Sequence, residues 1–151
     1  VKIFRGITHS LLAISLYLIL GNTLYFNITF IWIIACLVFG SLLPDIDHPY
    51  STLGKYIFPI SGAIKHRGFT HSFLAAFILP LPLLYFGTGY YFITIWSYLL
   101  HLLVDTLSPM GVMWLYPIKK RYSLNLAKTG GIEEAFIVVT CLLFIFKIKI
   151  F

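Results

Sequence analysis

The chain has 151 residues, 60% of them hydrophobic and 18% aromatic, with 11% charged and a net charge of +6. A soluble domain is typically about 45–50% apolar and about 25% charged, and one of this size could not hide so much apolar surface from water. Composition therefore excludes an ordinary soluble domain and predicts a single membrane domain over residues 1–151.

Five apolar stretches, taken in chain order, predict an all-α polytopic bundle of about four or five transmembrane helices. Ile7–Leu20 follows Lys2 and Arg5. Such a start resembles a signal peptide, but no small-residue cleavage site follows, so we read a retained helix. Ile28–Leu43 carries Cys36 and runs into Pro44-Asp45-Ile46-Asp47-His48-Pro49. A loop with Lys55, Lys65 and Arg67 then leads to Phe69–Phe86, where Pro80 and Pro82 should kink or end the helix for want of an amide donor. Tyr90–Leu107 holds His101 and Asp105, and the loop Ser108–Gly131 holds Lys119, Lys120, Arg121 and Lys128. The last stretch, Ile132–Phe146, opens on Glu133 and Glu134. Several stretches fall short of the ~20 residues of a perpendicular span and need their flanks or a thinned bilayer. The last could be re-entrant.

The short connections near Gly21–Asn27 and Gly87–Gly89 contain no lysine or arginine. The positive-inside rule then places the N-terminus and both long loops in the cytoplasm. Lys147 and Lys149 oppose this unless they snorkel to the far interface. The basic balance reads as topology and attraction to anionic head groups, not as nucleic-acid binding. Cys36 and Cys141 lie in apolar stretches and read as core residues, not a disulfide framework.

A repeat organises the chain. Arg5-Gly6-Ile7-Thr8-His9-Ser10-Leu11-Leu12-Ala13 returns as Arg67-Gly68-Phe69-Thr70-His71-Ser72-Phe73-Leu74-Ala75, with seven of nine positions identical. Leu42-Leu43-Pro44-Asp45 and Leu102-Leu103-Val104-Asp105 close the two copies. The repeat predicts two pseudo-symmetric helical hairpins, 5–47 and 67–107, with residues 108–151 completing the wall as a loop and last helix. The copies are unequal, because Ser41 occupies the position matching His101, and Asp47-His48 has no counterpart after Asp105.

On this topology all five histidines, three aspartates and two glutamates fall on the cytoplasmic side. Taken singly, each has a bland reading. His9 or His71 could be a helix-entry residue satisfied by a carbonyl, Thr8 and Thr70 could be N-caps, and Asp45 and Asp47 could form a turn. Glu133 and Glu134 could complement a helix dipole, and Arg67 could mark topology. His101 and Asp105, four apart on one helix face, are a sharper signal, since ionisable residues near membrane depth are costly and usually functional. One-sided clustering from five segments favours one shared site.

Imidazole and carboxylate without thiolate suit Zn²⁺, Mn²⁺, Fe²⁺ or Ni²⁺. The candidate direct ligands are His9, Asp45, His71, His101 and Asp105, with Asp47, His48, His66 and Glu134 as further ligands or as their supports. So many candidates favour two ions, or one ion with further residues supporting its ligands; a pair of ions would activate water for phosphoester hydrolysis. Asp47 or Glu134 is the expected general base, and Arg67 the expected fork for an oxyanion.

Leu42-Leu43-Pro44-Asp45-Ile46-Asp47-His48-Pro49 and His66-Arg67-Gly68-Phe69-Thr70-His71-Ser72 resemble the signature of YdjM-type inner-membrane proteins, described as LexA-regulated metal-dependent hydrolases. Tyr98-Leu99-Leu100-His101 through Asp105, Leu107-Ser108-Pro109, Gly111 and Glu134-Ala135-Phe136 extend the resemblance over nearly the whole chain. It implies a membrane-bound hydrolase with a divalent metal. A fainter similarity to zinc-dependent phospholipase C and single-strand nucleases implies a phosphoester substrate, although the N-terminal tryptophan ligand of those enzymes is missing. The expectation is thus hydrolysis of a phosphoester or lipid head group at the cytoplasmic face of the cell membrane. The rivals are a non-catalytic membrane protein with a structural metal and, disfavoured by the apolar runs Leu11–Leu20 and Phe30–Phe39, a metal transporter.

Overall fold

The computed structural model describes residues 3–20, 28–57, 59–63 and 66–126, together with Phe136, Val139, Thr140 and Leu143. Glu133, Glu134, Cys141, Lys147 and Lys149 lie outside the described residues, as does nearly all of the expected last helix. The described residues form helices α1 (Ile3–Leu20), α2 (Phe30–Leu42), α3 (Ile60–Ala63), α4 (Phe73–Ile78) and α5 (Thr88–Leu107), linked by 3-10 turns. They contain no β-strand, only a single antiparallel bridge between Val112 and Tyr122.

Three helices, α1, α2 and α5, pack on one another and set the frame. Ala13 and Tyr17 of α1, Ile33, Cys36 and Leu37 of α2, and Ile93 of α5 make one core cluster. A second, nearer the polar end, joins Leu43, Ala75, Ala76, Tyr98 and Leu102. The α2–α5 crossing is close because Gly40 has no side chain: a Cβ there would lie 2.5 Å from the Thr94 carbonyl oxygen. Beside it the Ser97 hydroxyl donates to the Leu37 carbonyl at 2.5 Å, and the Ser10 and Ser41 hydroxyls share a 2.7 Å bond. Small residues that let backbones approach, with hydroxyls bridging helices, are the packing mode of apolar bundles in lipid.

The third apolar stretch departs most from a simple helix. It enters through a 3-10 turn, Phe69–His71, becomes α4 for six residues, and ends as a second 3-10 turn, Leu81–Tyr85. Pro80 and Pro82 account for the break, as expected from their missing amides. By length and composition, one helical run among the described residues, Phe30–Asp47, can cross a membrane; Gly6–Ile19 and Phe73–Tyr85 are shorter apolar helices. Polar side chains lower the hydropathy of α5, although it has 20 residues.

The repeat is not copied in local structure. His9 sits well inside α1 instead of starting it, whereas His71 ends a 3-10 turn ahead of α4. Nor are the threonines caps. Thr8 is within α1, and Ser72 caps α4 by accepting from the Ala75 amide at 3.2 Å.

Candidate metal centre

Four helix ends or turns deliver the polar residues to one place. His9 comes from α1, Asp45 and Asp47 from the Leu43–Asp47 turn that continues α2, His71 from the turn before α4, and His101 and Asp105 from the last turns of α5. Pro44 breaks the α-helical ladder after Leu42, and the tighter turn brings Asp45 and Asp47 back over the helix ends. His9, Asp47, His71, His101 and Asp105 are buried, while Asp45, with a side chain 21% exposed, is the ligand candidate open to solvent.

The distances pair the repeats crosswise. His9 Nε2 lies 3.8 Å from Asp105, and His71 Nε2 lies 3.7 Å from Asp45, so each repeat's histidine meets the other's aspartate. His71 Nε2 is also 3.4 Å from Asp105, and His101 Nε2 is 3.8 Å from both Asp45 and Asp105. His9 stacks on His101 with ring centroids 3.9 Å apart. The matched positions Ser41 and His101 touch directly, since His101 Nδ1 donates to the Ser41 carbonyl at 2.6 Å. In neutral imidazole that leaves the His101 Nε2 lone pair facing the aspartates.

Nε2 of His71 and of His101 are both buried and have no hydrogen-bond partner. Buried polar atoms are ordinarily bonded, so two orphans aimed at two carboxylates call for an explanation. Ligand atoms on one tetrahedral zinc, bonded at about 2.0–2.2 Å, stand about 3.3–3.6 Å apart. The observed 3.4–3.8 Å separations are longer than ordinary charge-assisted hydrogen bonds and close to that spacing. The donor set, all imidazole and carboxylate, fits a divalent transition metal. Three groupings bring ligand atoms within 4.8 Å of one another: His9, His101 and Asp105; Asp45, His71 and His101; and Asp47, His66 and His71.

Asp47 is held in every direction that it could act. His66 Nδ1 meets one oxygen at 2.8 Å, while the Arg67 amide at 2.9 Å and the Thr70 hydroxyl bond the other. A general base must reach water, and this carboxylate is 1% exposed with both oxygens engaged. Asp47 thereby ties His66, Thr70 and the Arg67 backbone together. Burial by itself would lower the pKa of His71, but the flanking carboxylates of Asp105 and Asp47 outweigh it and push the imidazole up to about 9.

Arg67 is tied down as well. It adopts φ +59°, in the left-handed region that bulky residues rarely occupy. From there its Nη2 pairs with Asp105 at 2.8 Å and its Nη1 donates to Ser108 Oγ at 2.9 Å. With a side chain 3% exposed, the guanidinium fastens the end of α5 to the following loop. His48 stands outside the three groupings; its Nδ1 accepts from the Tyr50 amide at 3.2 Å, and its ring lies 4.8 Å from that of His66. His48, His66 and Asp45, with Gly6, Leu42 and Ser51, line a cleft of about 30 Å³ that opens onto the centre. Glu134 lies outside the described residues.

Sequence reasoning missed the groups that hold the ligands. Tyr98 donates its hydroxyl to the Thr70 carbonyl, Ser41 steadies His101 through its carbonyl, and Ser108 anchors Arg67. Ser108 and Thr70 lay inside recognised motifs; a main-chain acceptor such as that of Ser41 leaves no signal in residue type.

Fold and centre together define an all-helical, strongly apolar protein with a buried His–Asp cluster at one end of its bundle. Residues 5–149 match the family described as YdjM inner membrane protein, and the chain belongs to that family. Two curated relatives, both named "Inner membrane protein YdjM", come from Escherichia coli (strain K12) and Shigella flexneri. Each is 40% identical over 118 residues, a match covering 70% of this chain and 60% of the relative's own length. The chain thus spans less than two thirds of the curated relatives it matches. No solved structure matches it.

Proposed function

We propose that this protein is a multi-pass inner-membrane hydrolase that uses a divalent metal to cleave a phosphoester or lipid head group at the cytoplasmic face. Zinc is the first candidate, ahead of Mn²⁺, Fe²⁺ and Ni²⁺, and two ions are the expected complement. The observation that carries this reading is the pair of orphaned, buried Nε2 atoms of His71 and His101 facing Asp45 and Asp105. When bound, such a metal supplies Lewis acidity and lowers the pKa of a coordinated water.

The chain's own residues do the rest. His9, Asp45, His71, His101 and Asp105 would hold the metal, with His101 oriented by the Ser41 carbonyl and His71 by the Thr70 hydroxyl, itself held by Asp47. Asp45 is the ligand that faces the cleft. His66, fixed at Nδ1 by Asp47 and with a side chain 28% exposed, takes up the proton released from the attacking water on the cleft side. The crosswise His9–Asp105 and His71–Asp45 pairs support two pseudo-symmetric hairpins, 5–47 and 67–107, around one shared site. The hairpins and the last helix would supply the four or five membrane crossings.

Elemental analysis of protein purified without chelator tests the ligand set. Asp105→Ala should lose its metal and Lys119→Ala should keep it; equal metal content in the two refutes the assignment. Activity is then sought on a panel of phosphoesters and phospholipids. The narrow cleft, about 30 Å³, favours a second reading, a structural metal. That reading prevails if metal-loaded protein hydrolyses nothing while metal removal unfolds it.

A further inference from the structure

The segment after α5 is as unusual as the centre it adjoins. Ser108–Leu126 carries Lys119, Lys120 and Arg121 and no acidic residue. Met110, Leu115, Tyr116, Ile118, Leu124 and Leu126 are nevertheless exposed along it.

The backbone is well tied. Val112 and Tyr122 exchange both main-chain hydrogen bonds, at 2.9 and 3.1 Å. The Leu124 and Leu126 amides donate to the Thr106 and Leu107 carbonyls at 2.8 Å each, and the Phe73 amide donates to the Trp114 carbonyl at 2.9 Å. The apolar side chains are thus held outward by a bonded frame. Against α4 and α5 this frame builds a groove of about 610 Å³, lined by Phe73, Leu103, Trp114, Leu115 and Leu124, with Arg121 in the same lining. The Lys120 ammonium lies over the Tyr122 ring, 5.3 Å from its centroid.

We propose that Ser108–Leu126 and this groove form a binding surface for an anionic phospholipid, the acyl chain lying along the groove and the head group meeting Lys119, Lys120 and Arg121. Exposed apolar patches of this kind mark interaction sites. An apolar trough with Arg121 in its lining, Lys120 over the lining residue Tyr122 and Lys119 next in the chain, and with no acid in the segment, complements an amphiphile whose polar end is negative; each cation near an anionic leaflet strengthens attraction about fivefold. The proposal depends on the membrane setting of the family and not on the hydrolase chemistry.

The test uses Trp114, which lines the groove. A Trp32→Phe/Trp96→Phe variant leaves it as the sole tryptophan. The full chain is placed in nanodiscs of phosphatidylcholine doped with brominated-chain phosphatidylglycerol, or of the reverse composition with the bromines on phosphatidylcholine. Brominated phosphatidylglycerol at equal fraction should quench Trp114 about twofold more strongly. Lys119→Gln/Lys120→Gln/Arg121→Gln should abolish the excess. Lys119→Gln/Lys120→Gln, which keeps the Arg121 bond to the Met110 carbonyl, should reduce it without disturbing the loop. Equal quenching by both lipids means the groove faces bulk acyl chains, and absent quenching means that protein, its own or a second copy, covers it. Either result overturns the proposal, as does an excess that survives the triple substitution.

Discussion

Asp105→Asn separates two roles that the structure gives to one carboxylate. The change keeps the side chain's size, removes its charge, and leaves Arg67 Nη2 facing a neutral amide where the carboxylate now stands at 2.8 Å. Both groups are almost fully buried, at 3% and 4% exposure, so solvent cannot replace the lost countercharge. Breaking a buried ion pair by removing one member costs about 3–5 kcal/mol. The lower end applies because Arg67 Nη1 keeps Ser108 and the Gly111 carbonyl. For a chain of this size ~3 kcal/mol corresponds to a fall in Tm of about 6–12 °C. The same substitution removes a carboxylate that lies 3.4–3.8 Å from three imidazoles, and bound metal should drop to background. Thermal melts in detergent, on metal-free and metal-loaded protein, measure both effects. In an Arg67→Met/Asp105→Asn double variant stability should recover while metal binding does not. Full metal content in Asp105→Asn would refute the ligand role. An unchanged Tm in the metal-free state would refute the buried pair as a structural tie.

Three further outcomes follow from the geometry. Gly40→Ala forces a Cβ onto the Thr94 carbonyl and should cost about 1–3 kcal/mol, read as a lower Tm with metal content retained. Folded His71 titrates near 9 against about 6.5 in an unfolded chain, so in metal-free protein its contribution to stability is complete below pH 6.5 and is lost as pH rises through 9. Metal must displace that proton, so affinity should rise up to about tenfold per pH unit until near 9, with proton release on binding detected in a weakly buffered indicator solution. His66→Gln should leave metal content intact and lower hydrolysis about 10²-fold or more, on whichever substrate the panel identifies; loss of metal in this variant would make His66 a ligand instead.

How much could be read without the fold depends on the kind of constraint. The all-helical character and the gathering of His9, Asp45, His71, His101 and Asp105 were legible because a repeated His…Asp frame in an apolar chain leaves few places for charge. His101 and Asp105 were the surest, their spacing placing them on one face of α5 by helix geometry alone. The prolines likewise announced the break after α4. Individual roles were less accessible. Asp47 looked like a base and Arg67 like a substrate fork, since residue type states what a group can do and not what already occupies it. Their partners, the His66 ring, Thr70, Ser108 and the Asp105 carboxylate, include groups up to 41 positions away in the chain.

The sequence by itself determined that this is an apolar helical protein with a twofold repeated polar frame, because composition and internal identity are properties of the chain alone. Tertiary structure decided that the copies differ in local structure as well: His9 is embedded in α1 and His71 sits on a 3-10 turn, and the two reach across to each other's aspartates. It also decided that Ser108–Leu126 folds back on α4 and α5 to form an apolar groove with Arg121 in its lining. Both results rest on long-range hydrogen bonds and on close helix packing at Gly40, interactions whose partners are distant in sequence and adjacent only once the chain has folded.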